Sequence, residues 1–234
     1  MNDRVNAIDQ SSGLGYGVSA AERNKVLRNT YWLLALSLLP TVFGAWVGVT
    51  TGITASLGGG LGLMVFLGGA FGFMFAIEKT KNSAAGVPVL LAFTFFMGLM
   101  LSRMIAMVLG FKNGTDLIMM AFGGTAGVFF LMASLSTVIK RDLSGMGKWL
   151  TVGAVVLLVA GIINVFVGST AGMLAMAVLA ILIFSGFMLF DLKRIVDGGE
   201  TNYISATLSL YLSIYNVFQS LLLLLGIGGG SNND

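Results

Sequence analysis

The chain has 234 residues, 56% of them hydrophobic and 10% charged, with 13 Lys plus Arg against 10 Asp plus Glu. A soluble domain carries about 25% charged residues, so this is the composition of a membrane protein, and the pI of about 9.3 reports loop charge rather than nucleic-acid binding. There is no Cys and no His, which excludes disulfides, thiol chemistry, Cys-metal sites and a Ser–His dyad. Catalysis by paired carboxylates stays formally open.

Residues 1–27 are rich in Asn, Ser, Gly and Asp and cannot bury a core, so they are expected to form a flexible cytoplasmic tail. The segment "AERNKVLRNT" reads as a short amphipathic lead into the first apolar run, which begins near Tyr31. That run lasts about 20 residues, longer than a signal-peptide core, and no A-x-A site follows it. It reads as a retained helix.

A bilayer core of about 30 Å needs roughly 20 apolar residues to cross it. Seven stretches meet that length, near 29–50, 57–77, 86–110, 117–139, 149–168, 171–192 and 203–227. They define a seven-helix bundle over residues 28–227, followed by a short external tail, 228–234. Pro40 lies inside the first span and is expected to kink it, whereas Pro88 lies in the first turn of the third, where proline is tolerated.

The connecting loops alternate between basic and uncharged. Arg4, Arg23, Lys25 and Arg28 precede the first span; Lys79 and Lys81 follow the second; Lys140, Arg141 and Lys148 follow the fourth; Lys193 and Arg194 follow the sixth. Eleven of the 13 cations thus fall on one side, with Lys112 on the other and Arg103 inside the third span. Cytoplasmic loops carry the excess of Lys and Arg, which predicts the N-terminus inside and the C-terminus outside, with Trp32 and Trp149 at the inner belt and Trp46 at the outer.

Small residues recur four apart at Gly44 and Gly48, Gly58 and Gly62, Gly68 and Gly72, and Gly123 and Gly127. Such pairs let helices approach closely in lipid. In the seventh span Ser205, Ser209, Ser213, Asn216 and Ser220 fall on one helical face. Facing hydrocarbon, that stripe would lack hydrogen-bond partners, so the last helix is expected to be buried among the other six. The stripe then serves either as packing glue or as the wall of an ion path.

Three charges within or bordering the spans need a reason. Asp191 closes the sixth span beside Lys193 and Arg194, and reads either as a neutralised interfacial carboxylate or as a gate. Arg103 reaches either outward to headgroups or inward to the serine stripe. Glu78 sits beside Lys79 and Lys81 as an interfacial charge. In the turn "DGGETNYI", Gly198 and Gly199 permit positive φ, and Thr201 or Asn202 can cap the last helix. The loop "KRDLSGMG" is similar, with Asp142 or Ser144 as a cap and Gly145 and Gly147 for the turn.

"KVLRNTYWLLALSL", "AFGGTAGVFF", "KRDLSGMG" and above all "GGETNYISATLSLYLSIYNVFQSLL" closely resemble the YccA-like branch of the Bax-inhibitor family of membrane proteins, from about Lys25 to Gly226. The resemblance implies an all-α fold of seven transmembrane helices, six around a central C-terminal seventh, with the turn Gly198, Gly199, Glu200, Thr201, Asn202 and Tyr203 as its signature. It implies a non-enzymatic, multi-pass protein of the cell inner membrane, without a cofactor. Such a protein binds the FtsH membrane protease, restrains its attack on other membrane proteins, and is a slow substrate through its N-terminal tail. Other branches conduct calcium through two aspartates. Asp191 matches the first position, and Ser213 stands at the second, which puts that activity in doubt. A pH-dependent cation leak along Asp191, Ser209, Ser213, Asn216 and Arg103 is the alternative expectation.

Overall fold

The computed structural model describes residues 19–55, 57 and 59–230. These form seven helices: α1 (Ala20–Thr51), α2 (Gly59–Thr80), α3 (Gly86–Leu109), α4 (Gly114–Val138), α5 (Met146–Val167), α6 (Thr170–Val196) and α7 (Tyr203–Gly229). Each is long and apolar enough to cross a membrane. All seven expected spans are present, with ends displaced by a few residues.

The largest displacement is at the start of α1. Ser19 accepts a hydrogen bond from the Glu22 amide, and the Glu22 carboxylate accepts one from the Ser19 amide, a reciprocal capping box. The helix therefore begins at Ala20, and residues 20–27 belong to it rather than to the tail. The rest of the expected tail, residues 1–18, lies outside the described residues, as do residues 231–234 of the C-terminal tail. α1 runs through Pro40 without a break.

Helix packing is uneven. α1 and α3 share the most extensive interface, and glycine makes it close. A Cβ on Gly98 would lie 2.0 Å from the Thr41 carbonyl oxygen, and one on Gly44 would lie 2.2 Å from the Phe95 carbonyl oxygen. Of the expected small-residue pairs, Gly44 and Gly48 serve this interface. Gly68, Gly72, Gly123 and Gly127 face open space instead, with nothing within 4 Å of an added Cβ. Those glycines present a smooth helix surface with no partner on it among the described residues.

α7 packs against α1, α2, α3, α4 and α6 and makes no contact with α5. It contributes Ile204, Leu210, Tyr211, Val217 and Leu222 to the core, each nearly or wholly excluded from solvent. α5 has no buried residue at all and touches only α6 and α2. α1 and α4 nowhere bring their backbones within 8 Å of each other.

Candidate functional site

The turn between α6 and α7 is the most densely bonded stretch of polar residues in the described chain, and its construction comes from its residues. α6 ends at Val196, where Asp197 keeps a helical backbone and accepts from Lys193 Nζ at 2.6 Å. Gly198 then takes φ +81°, a region where side chains strain the backbone. This reversal lets the Gly199 amide return to the Arg194 carbonyl at 2.8 Å. Gly199 itself has no positive φ; one left-handed residue completes the turn, so the pair expected from the sequence reduces to Gly198.

Glu200 and Asn202 organise the second half of the turn. Glu200 accepts from the amides of Thr201 and Asn202 at 3.0 and 2.9 Å and pairs with Arg194 at 3.1 Å. Asn202 caps α7: its Oδ1 accepts from the amides of Ile204 and Ser205 at 2.9 and 3.0 Å. Its Nδ2 donates to the Lys81 carbonyl and to Asn82 Oδ1, in the loop between α2 and α3. Thr201 makes its bond through the backbone and leaves the cap to Asn202. From the other side, Arg23 of α1 donates to the Val196 carbonyl at 3.2 Å. One turn therefore ties α1, α6, α7 and the α2–α3 loop together.

The loop between α4 and α5 is built differently. Asp142 accepts from the Ser144 amide and hydroxyl at 2.8 and 2.9 Å. Those two bonds, the amide first, hold its carboxyl below the usual carboxylate range. α5 begins after Gly145 with no side-chain cap, and Gly145 keeps a negative φ. Asp142 therefore shapes its own loop rather than the helix start, since its oxygens are already taken. Glu78 forms an i,i+3 pair with Lys81 at the end of α2.

The residues expected along an ion path are spread out. Ser213 and Ser220 are buried in α7, while Ser205, Ser209 and Asn216 are half-buried. Asn216 turns its amide back onto its own helix, donating to the Leu212 carbonyl at 2.8 Å. Asp191 is half-buried on α6 and makes no hydrogen bond or ion pair among the described residues. Arg103 is exposed and donates to the Leu57 carbonyl at 2.8 Å, pinning the loop after α1 beside a Thr54–Ser102 hydroxyl pair at 2.8 Å. α3 and α6 do not touch, so Arg103 and Asp191 stand on separate parts of the bundle.

Two phenols of α7 lie outside the serine pattern. Tyr211 bonds to Thr41 Oγ1 at 2.8 Å and approaches the Thr94 carbonyl at 3.4 Å; Tyr215 donates to the Met97 carbonyl at 3.3 Å. Their rings lie 6.2 Å apart. Two tyrosines four residues apart in a span are a readable signal, because a buried phenol needs an acceptor.

Comparison with known proteins covers this whole assembly. The family described as "Inhibitor of apoptosis-promoting Bax1" matches residues 23–230, from the Arg23 latch to the end of α7. The chain belongs to this family. A relative from Escherichia coli, "Modulator of FtsH protease YccA", is 42% identical over 208 residues, covering 89% of this chain and 92% of the relative. A membrane protein of Vibrio cholerae is 41% identical over 214 residues, covering 91% and 93%. A protein of Pseudomonas aeruginosa is 38% identical over 211 residues, covering 90% of this chain and 93% of the relative. The chain carries Asp191 on α6 and a buried serine, Ser213, on α7.

Proposed function

We propose that this protein is a non-enzymatic modulator of the FtsH membrane protease in the cell inner membrane. It binds the protease, restrains its degradation of other membrane proteins, and is itself degraded slowly from its N-terminal tail. The observation that carries this reading is the 42% identity, over nearly the full length of both chains, to a protein named as that modulator. A second E. coli relative of the same identity bears the name "Inner membrane protein YccA". The distribution of Lys and Arg supports an N-terminus in the cytoplasm and a C-terminus on the periplasmic side. The breadth of α7's contacts supports an arrangement in which the other helices wrap the C-terminal one.

The same reading gives the two parts separate tasks. The bundle, closed at its basic end by the Asn202 and Arg23 bonds, resists extraction. The residues before the Ser19 cap supply the handle that the protease pulls. A tagged chain expressed in E. coli should capture FtsH from detergent-solubilised membranes and lengthen the half-life of an FtsH membrane substrate in a pulse-chase. Deleting residues 2–18 should slow turnover of the chain itself while capture persists. Capture without any change in substrate half-life would defeat the modulator reading.

A cation leak past Asp191 is the second reading, and it rests on that carboxylate being half-buried with no hydrogen bond or ion pair among the described residues. Calcium-dye-loaded vesicles holding the purified protein test it. Flux that disappears in Asp191→Asn supports the leak, and no flux at pH 6 or pH 8 removes it.

A further inference from the structure

The face of α1 that carries Tyr31, Ala35, Leu38, Val42, Trp46 and Val49 looks across a gap at α4. A cavity of about 880 Å³ fills that gap, with Tyr211, Ile214, Tyr215 and Phe218 of α7 as its floor. Near the basic end the edge of one ring meets another, Tyr31 of α1 against Phe129 of α4, with centroids 6.2 Å apart.

Water is a poor occupant. A buried water needs two to four polar partners, and this wall offers few: the Tyr31 hydroxyl and the Trp46 indole N–H stand fifteen residues apart along α1, and the other polar groups are engaged. Thr41 and Tyr211 bond each other, Tyr215 bonds the Met97 carbonyl, and Thr125 bonds the Ala121 carbonyl at 2.7 Å. The occupant is therefore apolar, and size narrows it further. A methylene takes about the room of a liquid water, roughly 30 Å³, so an eighteen-carbon acyl chain needs roughly 500 Å³ and fits. A helix about 10 Å across needs over roughly 1,000 Å³ for even three turns, more than the gap offers.

Charge fixes which way a lipid would lie. Arg28 stands one turn before Tyr31 on the same face of α1, is exposed, and makes no hydrogen bond or ion pair among the described residues. Lys25 lies a further turn out. Lys140 and Arg141 follow the end of α4 on the same side of the bundle, both exposed. At the far end Asp116 lies two residues before the groove residue Ile118. Lys112 stands four residues from Asp116 at that end, so the net positive charge of the groove lies at its Arg28 end.

We propose that the α1–α4 groove holds an anionic phospholipid from the leaflet facing the basic loops. One acyl chain lies between α1 and α4, and the phosphate rests against Arg28.

The test uses the full-length protein in phosphatidylcholine vesicles containing a phosphatidylglycerol with a photoactivatable group on its acyl chain. The lipid is titrated and labelled residues are mapped. Groove residues such as Leu38 and Phe122 should label saturably at a low mole fraction, while Val156 and Phe166 on exposed α5 rise in proportion to the lipid added. Ala126→Trp and Ala35→Trp, each at an exposed position whose larger ring fills the groove, should both remove the saturable labelling while α5 labelling persists. Arg28→Gln should keep the chain in the groove but raise half-saturation about fivefold, the effect of one interfacial cation. A photoactivatable phosphatidylcholine should likewise saturate only at higher mole fraction. Labelling at Leu38 that never saturates would overturn the proposal, and so would saturation that is indifferent to headgroup, to both tryptophans, or to Arg28. Groove crosslinks to a second protein chain in place of lipid would overturn it too.

Discussion

α1 has two faces with opposite solutions to the same problem. Toward α3 it is closed: Gly44 and Gly48 meet Phe95, Leu99 and Ser102, and Gly98 lets α3 come within touch of the Thr41 carbonyl. Toward α4 it is open: the backbones stay more than 8 Å apart and a cavity lies between them. Composition separates the two. The closed face has glycines at its points of closest approach, the open one Leu, Val, Trp and Tyr that hold α4 off. In lipid there is no hydrophobic force driving helices together, so contact depends on how closely backbones can pack. Glycine decides where α1 is joined, and bulk decides where it is not.

The sharpest way to break this contrast is to give the closed face a side chain. Gly98→Val should destabilise the bundle by about 3 kcal/mol, because the new atoms meet backbone that cannot move aside. Gly127→Ala, on a helix surface with nothing within 4 Å, should do the reverse and stabilise by up to about 1 kcal/mol through helix propensity. Unfolding in mixed micelles with increasing SDS, followed by circular dichroism, measures both. Equal costs at the two sites would mean that the closed face is not held by shape.

The basic end offers the next test, since α7 is packed on both α1 and α4 and is anchored there by one side chain. Asn202→Ala removes the α7 cap and both bonds to the α2–α3 loop, and should cost about 1–2 kcal/mol. Asn202→Asp keeps the cap oxygen and loses the two donated bonds, so it should fall between Ala and wild type. An Asp variant as unstable as the Ala variant would show that the loop tether, rather than the cap, carries the stability.

The spans were legible because hydropathy over about 20 residues is a strong signal, and Asn202 because the cap position follows from where the apolar run begins. The start of α1 was also written in the sequence, as Ser19 and Glu22 three residues apart, but it lies in a polar stretch that reads as tail. The glycine pairs show a different limit. Gly44 with Gly48 and Gly123 with Gly127 are the same pattern, yet one meets a helix and the other meets nothing. A small-residue repeat records how smooth a helix is and carries no direction to a partner. The gap between α1 and α4 was hidden for a related reason, since it is made by two stretches some ninety positions apart whose backbones stay more than 8 Å from each other. The polar stripe of α7 is legible in its serines, while the longer polar reach belongs to Tyr211 and Tyr215 on the same helix.

Tyr211 sits where the closed and open faces of α1 meet, and it gives the smallest and most discriminating effect. Thr41 Oγ1 donates to the Ser37 carbonyl at 2.9 Å, so its single proton is committed and the Tyr211 hydroxyl is the donor in their 2.8 Å bond. Tyr211→Phe removes that donor and leaves no polar hydrogen stranded, so it should cost about 0.6 kcal/mol, the average for a hydrogen bond inside a membrane bundle. Thr41→Val removes the acceptor instead. Tyr211 is then left with the Thr94 carbonyl, 3.4 Å away, and a buried donor without a good partner costs about 1–3 kcal/mol. The order of the two variants is the test: Thr41→Val should unfold at lower SDS than Tyr211→Phe. The opposite order would place the proton on Thr41 and make the Ser37 bond incidental.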